Sequence, residues 1–208
     1  MRKLLLLQLI LISTTFVNSV ANENPLSRLP AEEVERLLRG EVVAKYEQQF
    51  KQGETPSGAG KTYVIINAPI EQCWRIFTEF EKHYEWLPTW SESNVLERNG
   101  NTLIIHTVAD FKIAKINFTN TYSVEPEKHR VYVVTYPKGK NDIKHHEATY
   151  LFEKIDDKRT LFTFTMVKLD IGFNPPFPIL KYFATRNLPE VSENLKKRIE
   201  SNGVWKKK

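Results

Sequence analysis

From Ser93 to Asp170 the hydrophobic period of the chain is two, and it holds through six short runs separated only by turn formers. The runs are Ser93 to Arg98, Thr102 to Phe111, Ile113 to Val124, Arg130 to Tyr136, Ile143 to Ile155 and Thr160 to Asp170. Between them stand Asn99-Gly100-Asn101, Glu125-Pro126-Glu127, Gly139 and Asp156-Asp157, which are connections of hairpin length. Strands joined in this way are antiparallel neighbours. A strongly curved sheet of about six to seven strands cannot close on itself, so its concave face needs a further apolar element.

The last part of the sequence supplies one. Ile179 to Asn202 reads as a long helix with Ile179, Phe183, Leu188, Val191, Leu195 and Ile199 on one face. Lys196, Lys197 and Arg198 fall on the other side, near its C-terminal end. Pro189 is expected to kink or split this helix. Phe173-Asn-Pro-Pro-Phe-Pro178 separates it from the strands as a stiff loop poor in amide donors.

Upstream, Pro30 to Arg39 reads as a helix, with Pro30 in its first turn, Glu32 and Glu33 at its positive end, and Val34, Leu37 and Leu38 as its stripe. Glu41 to Phe50 alternates as a strand, Gly53 to Gly60 reads as a turn, and Lys61 to Asn67 as the next strand. After Ala68-Pro69, the spacing of Ile70, Cys73, Trp74, Phe77 and Phe80 predicts an amphipathic helix of about three turns. A second short helix follows around Glu81 to Leu87 and ends at Pro88.

The N-terminus sets the compartment. Arg2 and Lys3 precede an apolar run from Leu4 to Ile12, and Ser19-Val20-Ala21 fits the small-x-small cleavage rule, so residues 1–21 read as a secretory signal peptide. The alternative, an uncleaved anchor, is short of the ~20 residues that span a bilayer. The expected mature protein is periplasmic or secreted, with an N-terminal linker and short helix at 22–40, a main domain at 41–202 and a basic tail at 203–208. Removing Arg2 and Lys3 lowers the formal net charge from +5 to +3, and the basic residues are scattered, which is no nucleic-acid signature. The terminal Lys206-Lys207-Lys208 reads as a solvated tail or as a weak attraction to an anionic membrane. Cys73 is the single cysteine, so no intrachain disulfide can form, and it reads as a small packed apolar residue. Stability therefore rests on one sizeable core, to which a 41% hydrophobic composition is adequate.

The order of helix, two strands, paired short helices, a strand meander and one long helix resembles the helix-grip superfamily. That group includes START lipid-binding domains, plant pathogenesis-related class 10 proteins and bacterial polyketide cyclase/dehydrase-like proteins. The most specific stretch is Ile66-Asn-Ala-Pro-Ile-Glu-Gln-Cys-Trp-Arg-Ile-Phe-Thr-Glu-Phe-Glu-Lys-His-Tyr-Glu-Trp-Leu-Pro88, and the likeness extends over Glu41 to Asn202. The resemblance implies an α+β fold in which a curved antiparallel sheet wraps a long C-terminal helix, leaving an apolar tunnel for a small hydrophobic ligand. It implies little chemistry, since the superfold hosts carriers, receptors, cyclases and hydrolases.

Strand alternation nominates the lining. His146, Ala148, Tyr150 and Phe152 share one face, and Phe162, Phe164 and Met166 follow on the next strand. Ile116, Phe118, Tyr122 and Val124 oppose Asn117, Thr119 and Thr121. Tyr132 and Tyr136 carry hydroxyls suited to hydrogen-bonding a ligand, and Phe183 approaches from the helix. His106 is ambiguous, because its strand is apolar on both sides. Catalysis by an enolising cyclase would draw on His146 with Asp110 or a tyrosine, whereas a lone inward histidine is more often a pocket or core residue. Trp86 and Trp90, with Tyr84, form either a hydrophobic plug or a portal, and Phe173 and Phe177 offer a second rim for the cavity mouth. His145 and His146 are adjacent in a strand and cannot chelate one ion, and no metal, cofactor or phosphate motif occurs. Asn117-Phe-Thr119 matches a glycosylation sequon in mid-strand. The expectation is therefore a monomeric carrier of a hydrophobic molecule, capable of transient membrane contact, with a cyclase/dehydratase-like enzyme or an interaction module with a vestigial cavity as rivals.

Overall fold

A computed structural model of the chain describes residues 24–46, 57–173 and 175–208, with the side chains of Ser57, Leu180, Phe183 and Ala184 outside that description. The expected signal peptide at 1–21 and the expected strand position Phe50 lie outside the described residues. The strands are β1 (Val43–Tyr46), β2 (Ser57–Ile66), β3 (Trp90–Asn99), β4 (Thr102–Asp110), β5 (Lys115–Glu125), β6 (Arg130–Thr135), β7 (His145–Asp156) and β8 (Arg159–Asp170). All eight join one antiparallel sheet in the order β1-β2-β8-β7-β6-β5-β4-β3. The meander β3 to β8 follows chain order because its connections are too short for anything else. Gly100, at φ +55, turns the two-residue loop between Asn99 and Thr102.

The sheet is wider than the six to seven strands expected, because β1 pairs with β2 from Val43↔Tyr63 to Tyr46↔Gly60. The start of β2 also overturns part of a sequence expectation. Gly58 and Gly60, which read as turn formers, lie inside the strand around a bulge in its pairing with β8. A side chain on Gly60 would stand 2.5 Å from Leu188 Cδ1 and 2.6 Å from the Lys45 carbonyl oxygen, so this glycine marks a close approach.

The helices are α1 (Ala31–Leu38), α2 (Ile70–Phe77), α3 (Phe177–Thr185) and α4 (Asn187–Glu200), with a 3-10 turn at Phe80–Glu85 after α2. Helix α1 covers the convex side, where Leu37 packs with Leu26, Val43, Ile65 and Leu161, while Leu38 stays exposed. Helix α2 buries Ile70, Cys73, Ile76 and Phe77, and burial pushes the Cys73 thiol up to about 11. Helix α4 lies across the concave face and buries Leu188, Val191, Leu195 and Ile199. At about 1.5–3 kcal/mol for each such side chain, these residues are the main attachment of helix to sheet.

Two expectations about the C-terminal region need correction. The helix breaks at Arg186 (φ −123, ψ −30), not at Pro189. Pro189 falls in the first turn of α4, where its missing N–H has no partner to lose, so the interruption lies on its N-terminal side. Arg198 is also not on the solvent face. It is 2% exposed and reaches the Glu85 carboxylate at 2.6 Å and the Trp205 carbonyl at 2.9 Å.

The basic tail is likewise docked. Lys206 pairs with Glu85 at 2.7 Å, the Lys207 amide donates to the Glu85 carbonyl at 2.9 Å, and the Lys207 ammonium donates to the carbonyls of Leu87 and Trp90. Burial works against the Glu85 charge, but Lys206 and Arg198 more than offset it and hold the carboxyl below its usual range. Burial pulls the Lys207 amine down to about 8.

Candidate ligand-binding cavity

The concave face divides into a filled half and an open half. In the filled half, Phe77, Phe80, His83 and Trp86 from the α2 region pack onto Tyr122, Phe152 and Phe162 of the sheet. Representative ring separations are 5.1 Å for Phe77–Phe152 and 5.5 Å for Phe80–Tyr122. His83 Nε2 meets the Phe77 carbonyl at 2.7 Å, and burial pushes its pKa down to about 4. Trp86 is fully buried here, so it belongs to the plug and not to a portal. Tyr122, Phe152 and Phe162 point inward as expected, but into packed core.

The open half lies toward the α3–α4 break. Ile116 and Phe118 of β5, His146 and Tyr150 of β7, and Phe164 and Met166 of β8 line a cavity there. The loop Leu87 to Trp90 and the residues Asn187 and Val191 of α4 close it from above. Trp90 is half-buried, with its ring 5.5 Å from Phe118. The cavity volume is about 60 Å³. One water occupies about 10–15 Å³, so the cavity suits a compact ligand rather than an extended acyl chain.

Several nominated residues do not reach this space. Tyr132 is 40% exposed on the convex face, under the Arg130 guanidinium at 4.6 Å, while Val131 and Val133 point inward. The pairing explains why: Tyr122 lies opposite Val133, and directly opposed residues share a face. Tyr136 is half-buried beyond the end of β6, where its amide donates to the Thr119 carbonyl at 2.8 Å. Asp110 belongs to the face opposite the cavity-lining Ala109. Its carboxylate accepts the Lys112 amide at 2.7 Å and faces Lys115 at 3.7 Å, and the Lys112 hydrogen bond leads in holding it below its usual range. His106 shares that outer face and meets Thr119 Oγ1 at 3.2 Å. Phe173 and Phe177 are exposed, the latter at 72%, and do not line the cavity. Phe183 lies in α3, with its side chain outside the described set.

His146 is therefore the nominated titratable group that the fold delivers to the cavity besides Tyr150. Its backbone N–H donates to Thr135 Oγ1 at 2.6 Å, which fixes the strand locally, and its ring stands edge-on to Phe118 at 6.1 Å. Burial, with His145 as the lesser cause, pushes its pKa down to about 4, so the ring is neutral at pH 7. His145 points outward to Glu147 at 3.4 Å. Tyr150 stacks on Phe164 at 4.9 Å, and burial raises its hydroxyl far above the ordinary tyrosine value.

Asn120 went unnoticed in the sequence. It is 0% exposed, lies on the inward face between Phe118 and Tyr122, and places Nδ2 3.1 Å from His146 Nδ1. The signal was the alternation of β5 itself, which puts residue 120 in phase with 118 and 122. No Asp, Glu, Lys or Arg lines the cavity among the described residues. Nor is any group of three or more His, Cys, Asp or Glu arranged to hold a metal ion among them. The chemistry offered is apolar contact plus hydrogen bonding from a neutral imidazole, the Asn187 amide, the Trp90 indole and the Thr89 and Tyr150 hydroxyls.

Residues 60–200 match the family described as "Polyketide cyclase / dehydrase and lipid transport". No curated protein matches the sequence. Among solved structures, a STAR-related lipid transfer protein from Xanthomonas axonopodis aligns with a TM-score of 0.62 and 12% identity, over 76% of this chain and 93% of its own. The Zhui aromatase/cyclase from a Streptomyces species aligns at 0.55 and 16% identity, over 71% and 99%. Human StAR-related lipid transfer protein 5 aligns at 0.54 and 13% identity, over 82% and 93%. At these identities the likeness is one of fold.

Proposed function

The chain belongs to the polyketide cyclase / dehydrase and lipid transport family, and on that premise we propose that it binds and carries a small hydrophobic molecule in the cavity beneath the α3–α4 break. The observation that carries this reading is an apolar chamber between sheet and helix, free of charged side chains among the described residues, with a single neutral imidazole on its wall. The carrier reading is favoured over a cyclase or dehydratase by the position of Asp110. An enolising enzyme needs a base and a donor converging on one substrate, and Asp110 faces away from the cavity. His146 with Tyr150 is what remains for such chemistry, and His146→Ala would abolish turnover if that were the role.

The leader-like sequence at residues 1–21 supports a periplasmic or secreted carrier. Exposed Phe173, ahead of α3, and Phe177, at its start, support brief membrane contact during loading by a monomer. The size of the cavity favours a compact ligand, and a longer chain would require the 87–90 loop or the start of α4 to move away from the sheet.

Ethylbenzene is a suitable probe, followed through the methyl resonances of Ala109 and Ile116. Saturable one-to-one binding is expected, and Ala109→Phe, which fills the chamber, should remove it while the far-ultraviolet circular dichroism is unchanged. Absence of saturable binding to the wild-type protein, or binding indifferent to Ala109→Phe, would refute the proposal.

A further inference from the structure

The polar pair Asn120–His146 narrows the class of ligand. An amide nitrogen can only donate, so Asn120 Nδ2 at 3.1 Å makes His146 Nδ1 the acceptor and places the ring proton on Nε2. The Asn120 side chain also hydrogen-bonds the Tyr122 hydroxyl in the sense of a donor, so the reverse amide orientation would forfeit both N–H contacts, and Oδ1 is the atom left without a partner. No described residue hydrogen-bonds Nε2, and His146 lines the cavity. A donor facing an apolar chamber calls for an acceptor on whatever fills the chamber, because a buried N–H left unpaired costs more than the net gain of pairing it.

We infer that the cavity selects an uncharged molecule with a carbonyl oxygen, a ketone, aldehyde or ester, which accepts a hydrogen bond from His146 Nε2–H, with Asn120 as the positioning residue that sets the tautomer. The inference rests on the binding role proposed above. A carboxylate is disfavoured because the imidazole is neutral and no Lys or Arg lines the chamber among the described residues to compensate a buried charge. A pure hydrocarbon would leave Nε2–H unsatisfied. A carbonyl accepts from Nε2–H and brings no donor of its own.

Acetophenone and ethylbenzene have nearly the same shape and differ in the carbonyl. The wild-type protein should bind acetophenone about tenfold more tightly, the scale of one buried hydrogen bond. His146→Phe should bring the ratio close to one while ethylbenzene still binds. Nitrogen-15 spectra of the wild-type protein at pH 7 should show a neutral His146 protonated at Nε2, and Asn120→Leu should mix the tautomers and reduce the preference below about threefold. Equal binding of the two probes to the wild type, or a proton on Nδ1, would overturn the inference and leave the carrier reading standing. Failure of both probes to bind would overturn both.

Discussion

Two buried neutral histidines should make this fold sensitive to mild acid. His83 is almost fully buried against the Phe77 carbonyl, and His146 is 8% exposed in the cavity wall. Burial pushes both from 6.5 to about 4 in the folded protein. The unfolded chain therefore binds more protons than the folded one between those values. The contribution is fully present above pH 6.5, is lost as pH falls from 6.5 toward 4, and is flat below that. At pH 4.5 the loss is about 2.5 kcal/mol for each ring and about 5 kcal/mol for the pair, at 1.36 kcal/mol per unit. Carboxyls held low in the native state lose their share as pH falls below their ordinary values, 3.8 for Asp110 and Asp156 and 4.5 for Glu85, so they add only a small part above pH 4.5. Urea unfolding of the wild type at pH 7, 5.5 and 4.5, beside His146→Gln and the double variant with His83→Gln, resolves the terms. The single variant should lose about half as much stability as the wild type on acidification, and the double variant almost none. A wild-type change below about 1 kcal/mol, or an undiminished change in the double variant, would refute the assignment of these rings as neutral.

Three further outcomes follow from the packing. Gly60→Ala should destabilise by about 1–3 kcal/mol in thermal unfolding, because the new methyl meets both Leu188 and the Lys45 backbone oxygen and the helix cannot settle without shifting. Glu85→Gln should cost about 3 kcal/mol, since it strands the buried Arg198 guanidinium, and a loss below about 0.5 kcal/mol would show that pair to be dispensable. Deleting residues 204–208 removes the Lys207 ties to Leu87 and Trp90, so hydrogen exchange in the 87–90 loop should accelerate and ethylbenzene should enter faster.

The sequence was most readable where one periodicity decided the outcome. His146, Tyr150, Phe164 and Met166 point inward because β7 alternates cleanly and, in β8, the phase of Phe162, Phe164 and Met166 is plainly the more apolar. Strand β6 was harder, since Tyr132, Val134 and Tyr136 are as hydrophobic as Val131 and Val133. Only cross-strand pairing with Tyr122 settles its phase, and pairing is a property of two segments. Gly60 carries the local signature of a turn, and its role as a contact with α4 comes from a residue 128 positions away. Arg198 and Lys207 read as surface cations because charge normally stays wet. Here Glu85 and the Leu87 and Trp90 carbonyls compensate their burial, and nothing in the local pattern announces those partners. Asn120 was the costliest omission, because a polar residue inside an apolar phase is where a site departs from a core.

The central claim is that the cavity carries a small hydrophobic molecule, and native mass spectrometry of the protein purified from its own compartment tests it most directly. The expected spectrum shows one uncharged small molecule per chain, displaced by acetophenone and missing from Ala109→Phe. A spectrum of bare chain alone, under conditions gentle enough to retain added acetophenone on the wild-type protein, would contradict the claim.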